Sequence, residues 1–296
     1  MSQTRANILM LIATLIWGTA FVSQTTGMGS IGPFTFSFSR FFFATITVLP
    51  LALYFERNNF AKIFSNSKLL ILTIATGIFL FLGMGLQQYA LQVSQISNVA
   101  FITTLYVPIV GIISRFVFKS QLHWVIWIAI LLCVLGSYLL SSNQSIEIQQ
   151  SDSLIFIAAF CFAVHIILID VFMKQFNSPL TYGTIQYFIV FLISLFVAGI
   201  YESPTLKNIS IEWFDILYTG VLSAGLGYTL QIIAQRKASP APAAIILSME
   251  GVFATIAGWL LINQTLDLNK FLGCLAIFTG VIIVQLLPIF KKTNDR

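Results

Sequence analysis

Glu250 and Arg40 are ionisable side chains set deep inside long apolar runs of the sequence. A charge at membrane depth costs about 2.5–3.5 kcal/mol on insertion scales, so such a residue marks a functional site or a dedicated internal partner. Glu250 lies nine residues into its run, near the middle. There a carboxyl group could carry a proton, hold a substrate ammonium, or stay neutral and hydrogen-bond a neighbouring helix. Arg40 lies about seven residues into another run, roughly 10 Å of helix rise. It could meet a substrate carboxylate, reach back to the interface or bind backbone carbonyls. His165 is either a second proton relay or a hydrogen-bonded core residue. Asp170, five residues further on, does not share its face and instead pairs with Lys174 at i, i+4.

Uncharged polar groups are more numerous. Gln88 and Gln92 are spaced i, i+4 with Gln87 beside them, and Gln231 shares a stripe with Ser223, Gly227 and Gln235. Gln88 and Gln231 are expected to face a polar cavity or to bond between helices, with the ends of the stripes facing water at the membrane surface. Thr103 and Tyr106 are i, i+3, with Asn98 upstream, and Pro108 removes a backbone donor, which predicts a kink and frees a carbonyl for a partner helix or a substrate. Trp17 and Tyr89 could wall a cavity or simply pack. Gly251, next to Glu250, joins Gly83, Gly85, Gly225, Gly227 and Gly258 as positions allowing close helix approach or hinging.

Other chemistry has little to stand on. No Gly-x-Ser-x-Gly, His-Glu-x-x-His, P-loop or paired intramembrane Asp is present, so catalysis is not expected. The histidines are His123 and His165, and Cys133, Cys161 and Cys274 lie unpaired in apolar segments, so neither metal, disulfide nor cofactor is expected.

The elements that must hold these residues are membrane helices. Of 296 residues 58% are hydrophobic and 8% charged, which excludes an ordinary soluble domain with its roughly 25% charged residues. Ten segments are long enough to cross a hydrocarbon core of about 30 Å: 6–24, 34–55, 69–91, 98–118, 123–141, 153–173, 180–201, 214–235, 241–262 and 269–290. None alternates apolar and polar as a barrel strand would. The first is read as a membrane span and not a cleaved signal, because no small-x-small site follows it.

Placing the N-terminus inside puts twelve of the 15 Lys and Arg on the inner side, leaving Lys207 and Lys270 outside and Arg40 within a span. Cytoplasmic loops hold such an excess, so both termini are expected in the cytoplasm. The net charge of +5 is thus scattered through short loops and offers no face for nucleic acid.

The chain also repeats itself. Gly32-Pro33-Phe34-Thr35-Phe36 falls on Ser178-Pro179-Leu180-Thr181-Tyr182, Phe118-Lys119-Ser120-Gln121-Leu122 on Ile262-Asn263-Gln264-Thr265-Leu266, and Leu135-Gly136 on Thr279-Gly280. The offset drifts only from 146 to 144, which argues for duplication of a five-span unit. The units are residues 1–146 and 147–296, joined through the polar stretch 141–152. Five is odd, so the second unit must be inverted. The expected fold is all-α and integral to the membrane, with ten transmembrane helices in two inverted five-helix repeats. Two such halves can exchange roles and open a midplane cavity to one side and then the other.

Leu15-Ile16-Trp17-Gly18-Thr19-Ala20-Phe21, Arg40-Phe41-Phe42-Phe43-Ala44 and Ser248-Met249-Glu250-Gly251-Val252-Phe253-Ala254 resemble the EamA branch of the drug/metabolite transporter superfamily. The resemblance covers essentially the whole chain and implies a carrier of small organic metabolites, often an amino-acid exporter of the bacterial inner membrane. The chain departs from that family at Gly251, where Pro often follows the Glu, and at Ser120 and Gln264, where a Gly-Glu-x-Leu turn is common.

The expectation is therefore a secondary transporter working by alternating access, coupled to protons or to exchange, as a monomer or a homodimer. An uptake carrier for a vitamin, nucleotide-like or opine-like compound is the alternative, with a passive channel behind it. Three Asn-x-Ser/Thr sites, Asn143, Asn208 and Asn263, all fall on the outer side.

Overall fold

The computed structural model describes the backbone of residues 1–94, 96–141, 150–262 and 265–294, and within them the side chains of all but 96–98, 150–151, 262 and 287–294. Among the described residues there is no strand. Ten helices are long and apolar enough to cross a membrane: α1 (Gln3–Thr26), α2 (Pro33–Phe55), α3 (Ser67–Val93), α4 (Val99–Phe116), α5 (Trp124–Ser141), α6 (Asp152–Gln175), α7 (Pro179–Tyr201), α8 (Trp213–Gln235), α9 (Pro240–Leu261) and α10 (Leu268–Leu286). They match the segments read from the sequence to within a few residues. Short helices Arg57–Ser65 and Leu206–Ile211, which hydropathy did not show, follow α2 and α7. The boundary expected at 146/147, with Asn143, Asn263 and Gln264, lies outside the described residues.

Several hydroxyls inside the spans are satisfied on their own helix. The hydroxyls of Thr45, Thr73, Thr76, Thr104 and Thr184 each donate to the carbonyl four residues earlier. Back-bonding of this kind satisfies a hydroxyl locally, as hydrocarbon surroundings require.

The inversion of the halves is visible in two pairs of equivalent helices. Along α5 and α10, a Cβ on Gly136 would stand 2.7 Å from the Gly273 carbonyl oxygen, and one on Gly280 would stand 3.0 Å from that of Ala129. Numbers rise on one helix as they fall on the other, so the two run antiparallel. The repeat offset of 144 carries the first contact onto the second, as a two-fold axis in the membrane plane would. These glycines let the backbones approach to a distance that any side chain would prevent.

Helices α2 and α7 repeat the relationship with carboxylates. Glu202, just after α7, accepts hydrogen bonds from the backbone N–H groups of Phe34 and Thr35 at the start of α2, at 2.9 and 2.6 Å. Glu56, just after α2, accepts from Thr181 N at 2.8 Å and from Ser178 Oγ at 2.6 Å at the start of α7. Each helix thus has its unsatisfied first-turn donors met by an anion from its symmetry mate. Phe41 and Tyr187, equivalent to one another, meet midway with ring centroids 6.3 Å apart.

With ten alternating crossings, the start of α1 and the end of α10 share one face of the bundle, called here the termini face.

Candidate functional site

A narrow cavity lies at the centre of the bundle. Its wall comes from α1 (Trp17, Phe21, Gln24), α3 (Met84, Gln87), α4 (Thr103, Tyr106), α6 (Phe162, His165, Ile166), α8 (Ser223, Tyr228, Gln231) and α9 (Leu247, Glu250). Three of these helices belong to each half.

The equivalent helices α4 and α9 are both interrupted where they reach the cavity. The first breaks at Leu105, between segments Ile96–Thr104 and Tyr106–Phe116, and the second at Ser248, between Pro240–Leu247 and Met249–Ile262. Pro108 cannot donate to the Thr104 carbonyl, and Leu105 N turns to Ile102 O at 3.1 Å in a tighter i−3 bond. At Ser248 the hydroxyl donates back to Ile245 O at 2.7 Å and Gly251 N bonds Ser248 O at 3.2 Å, which bends the helix without a proline. The interruption of α4 thus falls within the turn that precedes Pro108. Its counterpart in α9 was not foreseen, and Gly251 sits within its last turn. The two breaks bring Tyr106 and Glu250 onto the same cavity wall.

Helix α8 widens into a π-helical stretch over Tyr218–Gly227, an irregularity common at functional sites. Gly227 is required here, because a Cβ would stand 2.6 Å from Trp17 Nε1. Trp17 Nε1 donates to the Ser223 carbonyl at 3.0 Å, which sets its ring against Tyr228 with centroids 4.8 Å apart. The Tyr228 hydroxyl lies 2.8 Å from Met84 Sδ, and His165 meets the Tyr228 ring edge-on at 5.9 Å.

Of the residues singled out from the sequence, Trp17, Thr103, Tyr106, His165, Gln231 and Glu250 line the cavity. Thr103 Oγ1 accepts from Gln87 Nε2 at 3.1 Å, so Gln87 and not Gln88 is the cavity-facing glutamine of α3. Gln88 is fully buried one position round the helix, where its Nε2 donates to the Gln24 carbonyl at 2.9 Å. Tyr89 turns outward and is 43% exposed, away from the cavity. Gln235, expected to face water, is buried and donates to the Ile166 carbonyl at 2.9 Å while accepting from Gln231 at 3.0 Å. Arg40 is buried rather than snorkelling, and its Nη1 donates to Gln24 Oε1 at 2.9 Å. His165 bonds Gln186 Oε1 at 3.0 Å. Asp170 and Lys174 form the expected pair at 2.7 Å.

Gln24, Phe21, Tyr228 and Met84 were not anticipated. Gln24 carried a readable signal, being a polar residue at the end of the first apolar run, 6–24. Among the described residues no group of three His, Cys, Asp or Glu stands close enough together to hold a metal ion.

Ten helices in two inverted halves, with interrupted helices meeting at a central cavity, define a multi-pass membrane transporter. The chain belongs to the EamA-like transporter family, whose sequence profile matches residues 4–142 and again 149–286. A protein of Archaeoglobus fulgidus described as an uncharacterized transporter is 28% identical over 95% of this chain and 86% of its own length. The uncharacterized transporter YoaV of Bacillus subtilis is 23% identical, covering 92% of this chain and 94% of its own. A solved crystal structure superposes with a TM-score of 0.80 over 97% of this chain at 14% identity, and so shares the fold.

Proposed function

We propose that the chain is a secondary carrier that exports an amino acid or a related small amphipathic metabolite across a cell's inner membrane, cycling by alternating access with both termini in the cytoplasm. The duplicated units are residues 1–146 and 147–296. The observation that carries this reading is the unequal state of two contacts that the internal symmetry makes equivalent. On the termini face the half-helices Tyr106–Phe116 and Pro240–Leu247 pack together, whereas their counterparts Ile96–Thr104 and Met249–Ile262 barely touch among the described residues. A symmetric channel would open or close both, while a carrier keeps one closed at a time. In this reading the packed contact on the termini face is the closed gate, and the sparse one is its open counterpart.

Glu250 is the coupling residue in this reading. It is the carboxyl group of the cavity wall, positioned at a helix break near Tyr106, so that it can exchange a proton or a substrate ammonium as the cavity changes sides. His165 is the second candidate for carrying a proton. The test is counterflow: proteoliposomes loaded with a panel of unlabelled amino acids and related metabolites should accumulate the matching labelled compound, with saturation. Conductance without saturation would indicate a channel, and no flux for any compound would refute the carrier. Oriented vesicles then separate export from uptake.

A further inference from the structure

Two hydrogen-bond relays run from backbone carbonyls to the cavity wall. In one, Gln235 Nε2 donates to the Ile166 carbonyl at 2.9 Å and Gln231 Nε2 donates to Gln235 Oε1 at 3.0 Å. In the other, Gln186 Nε2 donates to the Tyr182 carbonyl at 3.3 Å and Gln186 Oε1 lies 3.0 Å from His165 Nε2. A carbonyl oxygen can only accept, so each relay has one sense, and turning any of these amides over would set oxygen against oxygen. Gln231 is thereby held with its Oε1 turned from Gln235, and that oxygen is buried with no hydrogen-bond partner among the described residues. His165 Nε2 must carry the hydrogen shared with Gln186, which leaves Nδ1 of the neutral ring an acceptor. Gln231 and His165 both line the cavity, whereas Gln235 and Gln186 are buried outside its wall.

The internal repeat shows that this sense is particular to the second half. Leu82-Gly83-Met84-Gly85-Leu86-Gln87 falls on Leu226-Gly227-Tyr228-Thr229-Leu230-Gln231 at an offset of 144, so Gln87 and Gln231 are equivalent, and both line the cavity. Gln87 meets the Thr103 hydroxyl, which could equally donate to a reversed amide, so that pair has no fixed sense. Arg40, equivalent to Gln186 at an offset of 146, can only donate, and Gln24 turns its oxygen to it. Of the donors on the wall, Trp17 Nε1 is engaged by the Ser223 carbonyl and the Tyr228 hydroxyl by Met84 Sδ. What α6 and α8 hold out to a ligand is therefore a pair of acceptors, with the Glu250 carboxyl of α9 on the same wall. A buried acceptor left unmet is costly, and a ligand hydrogen removes that cost.

We propose that Gln235 and Gln186 are positioning residues that set the specificity of the carrier: by fixing Gln231 Oε1 and His165 Nδ1 as acceptors, they make the cavity select a metabolite group with at least two N–H or O–H hydrogens and reject forms of it that keep fewer. The inference rests on the carrier reading above and goes beyond it, because an amino-acid substrate would by itself fix neither the tautomer of His165 nor a role for two residues outside the cavity. Purified protein in nanodiscs is tested with two readouts. The histidines are His123 and His165, so magnetic resonance of isotope-labelled histidine, assigned with His123→Gln, reports the His165 tautomer. Thermal stabilisation and direct binding are measured with glycine, alanine, leucine, phenylalanine and propylamine, each beside its N-methyl, N,N-dimethyl and N,N,N-trimethyl forms.

His165 should be the neutral Nε2–H tautomer in the parent and lose that preference in Gln186→Leu. At least one primary compound should bind at least about tenfold more tightly than its trimethyl form, and Gln235→Leu and Gln186→Leu should each narrow that ratio at least about threefold. Rejection by size alone would survive both substitutions, since neither side chain lines the cavity. The inference is overturned if no compound binds, if trimethyl and primary forms bind alike, if either variant keeps the ratio of the parent, or if His165 is the Nδ1–H tautomer or an imidazolium at neutral pH. If the variants do not fold, the unaltered protein decides: affinity that holds through the N-methyl form and drops at the dimethyl form supports the inference, and an even loss with each methyl overturns it. Counterflow separates this from failure of the carrier. Selective binding without saturable flux would sink the carrier and keep the two positioning residues, whereas saturable flux with ratios unmoved by either variant would do the reverse.

Discussion

Glu202 Oε2 lies 2.6 Å from the backbone nitrogen of Thr35, closing the first turn of α2 with a carboxylate supplied from the end of α7. Its symmetry mate Glu56 closes the first turn of α7 in the same way through Thr181 N. The two long helices are thus clamped to one another at both faces of the membrane while the cavity helices pack on their flanks, which suits them to be the fixed part of a moving carrier.

Replacing either glutamate with alanine should therefore destabilise the protein without altering what it recognises. A charged acceptor at a helix N-terminus is worth about 1–2 kcal/mol, and the two sites lie at opposite ends of a 23-residue helix, too far apart to interact. Glu202→Ala and Glu56→Ala should each lower the unfolding temperature in detergent, and the double variant should lose about the sum. A Glu202→Ala protein as stable as its parent would show that the cap contributes nothing.

The glycines differ in what they tolerate. Gly136→Ala puts a methyl group 2.7 Å from the Gly273 carbonyl oxygen, with backbone on both sides, so α5 and α10 must separate; overpacking of this kind costs about 1–3 kcal/mol. At Gly251 the added methyl meets only Leu140 Cδ1 at 3.6 Å, an ordinary contact. Gly251→Ala should thus fold normally and gain up to about 1 kcal/mol of helix stability. Measuring unfolding and flux together decides what Gly251 does: loss of transport in a stable Gly251→Ala protein would establish the hinge, and full transport would reduce Gly251 to helix packing.

Hydropathy was enough to find the ten spans, because a 20-residue apolar run has few alternatives, and the inverted repeat followed from the shared offset of three weak matches. Part of the cavity wall was legible for a similar reason: Glu250 is conspicuous in an apolar run and lines the cavity, whereas Arg40, equally conspicuous, lies buried behind the wall. Which way a glutamine faces was not legible. Gln87, Gln88 and Gln235 are equally polar, and the one-residue rotation that puts Gln87 rather than Gln88 in the cavity depends on how α3 packs against α4. The break at Ser248 and the π-helical stretch of α8 were hidden because serine back-bonding and a widened turn leave no mark on hydropathy.

Glu250→Gln tests the coupling role directly. The amide keeps the size and polarity of the side chain, so stability should change little. It cannot release a proton or carry a charge, so flux should fall at least about tenfold if the carboxyl group exchanges a proton or an ammonium in each cycle, and any dependence of the residual flux on pH should flatten. Unchanged flux with an unchanged pH profile would remove Glu250 from the mechanism and leave it a cavity-lining residue.

The inversion makes a prediction that needs no substrate. Five crossings separate the N-terminus from the segment joining the halves, so cysteines introduced for Ser2 and Ser145 should never be labelled from the same side of a sealed membrane. A membrane-impermeant maleimide applied to intact cells should modify Ser145→Cys and spare Ser2→Cys until the cells are opened, because the positive-inside bias assigns the N-terminus to the cytoplasm. Lys207→Cys, in the connection between α7 and α8, should behave like Ser145→Cys, and Ser120→Cys, between α4 and α5, like Ser2→Cys. The native cysteines interfere little, since Cys133 and Cys161 are buried and Cys274 lies within α10. Labelling in the reverse order would overturn the orientation but keep the inversion, whereas labelling of Ser2→Cys and Ser145→Cys from one side would contradict the antiparallel pairing of α5 with α10 and, with it, the exchange of roles on which alternating access depends.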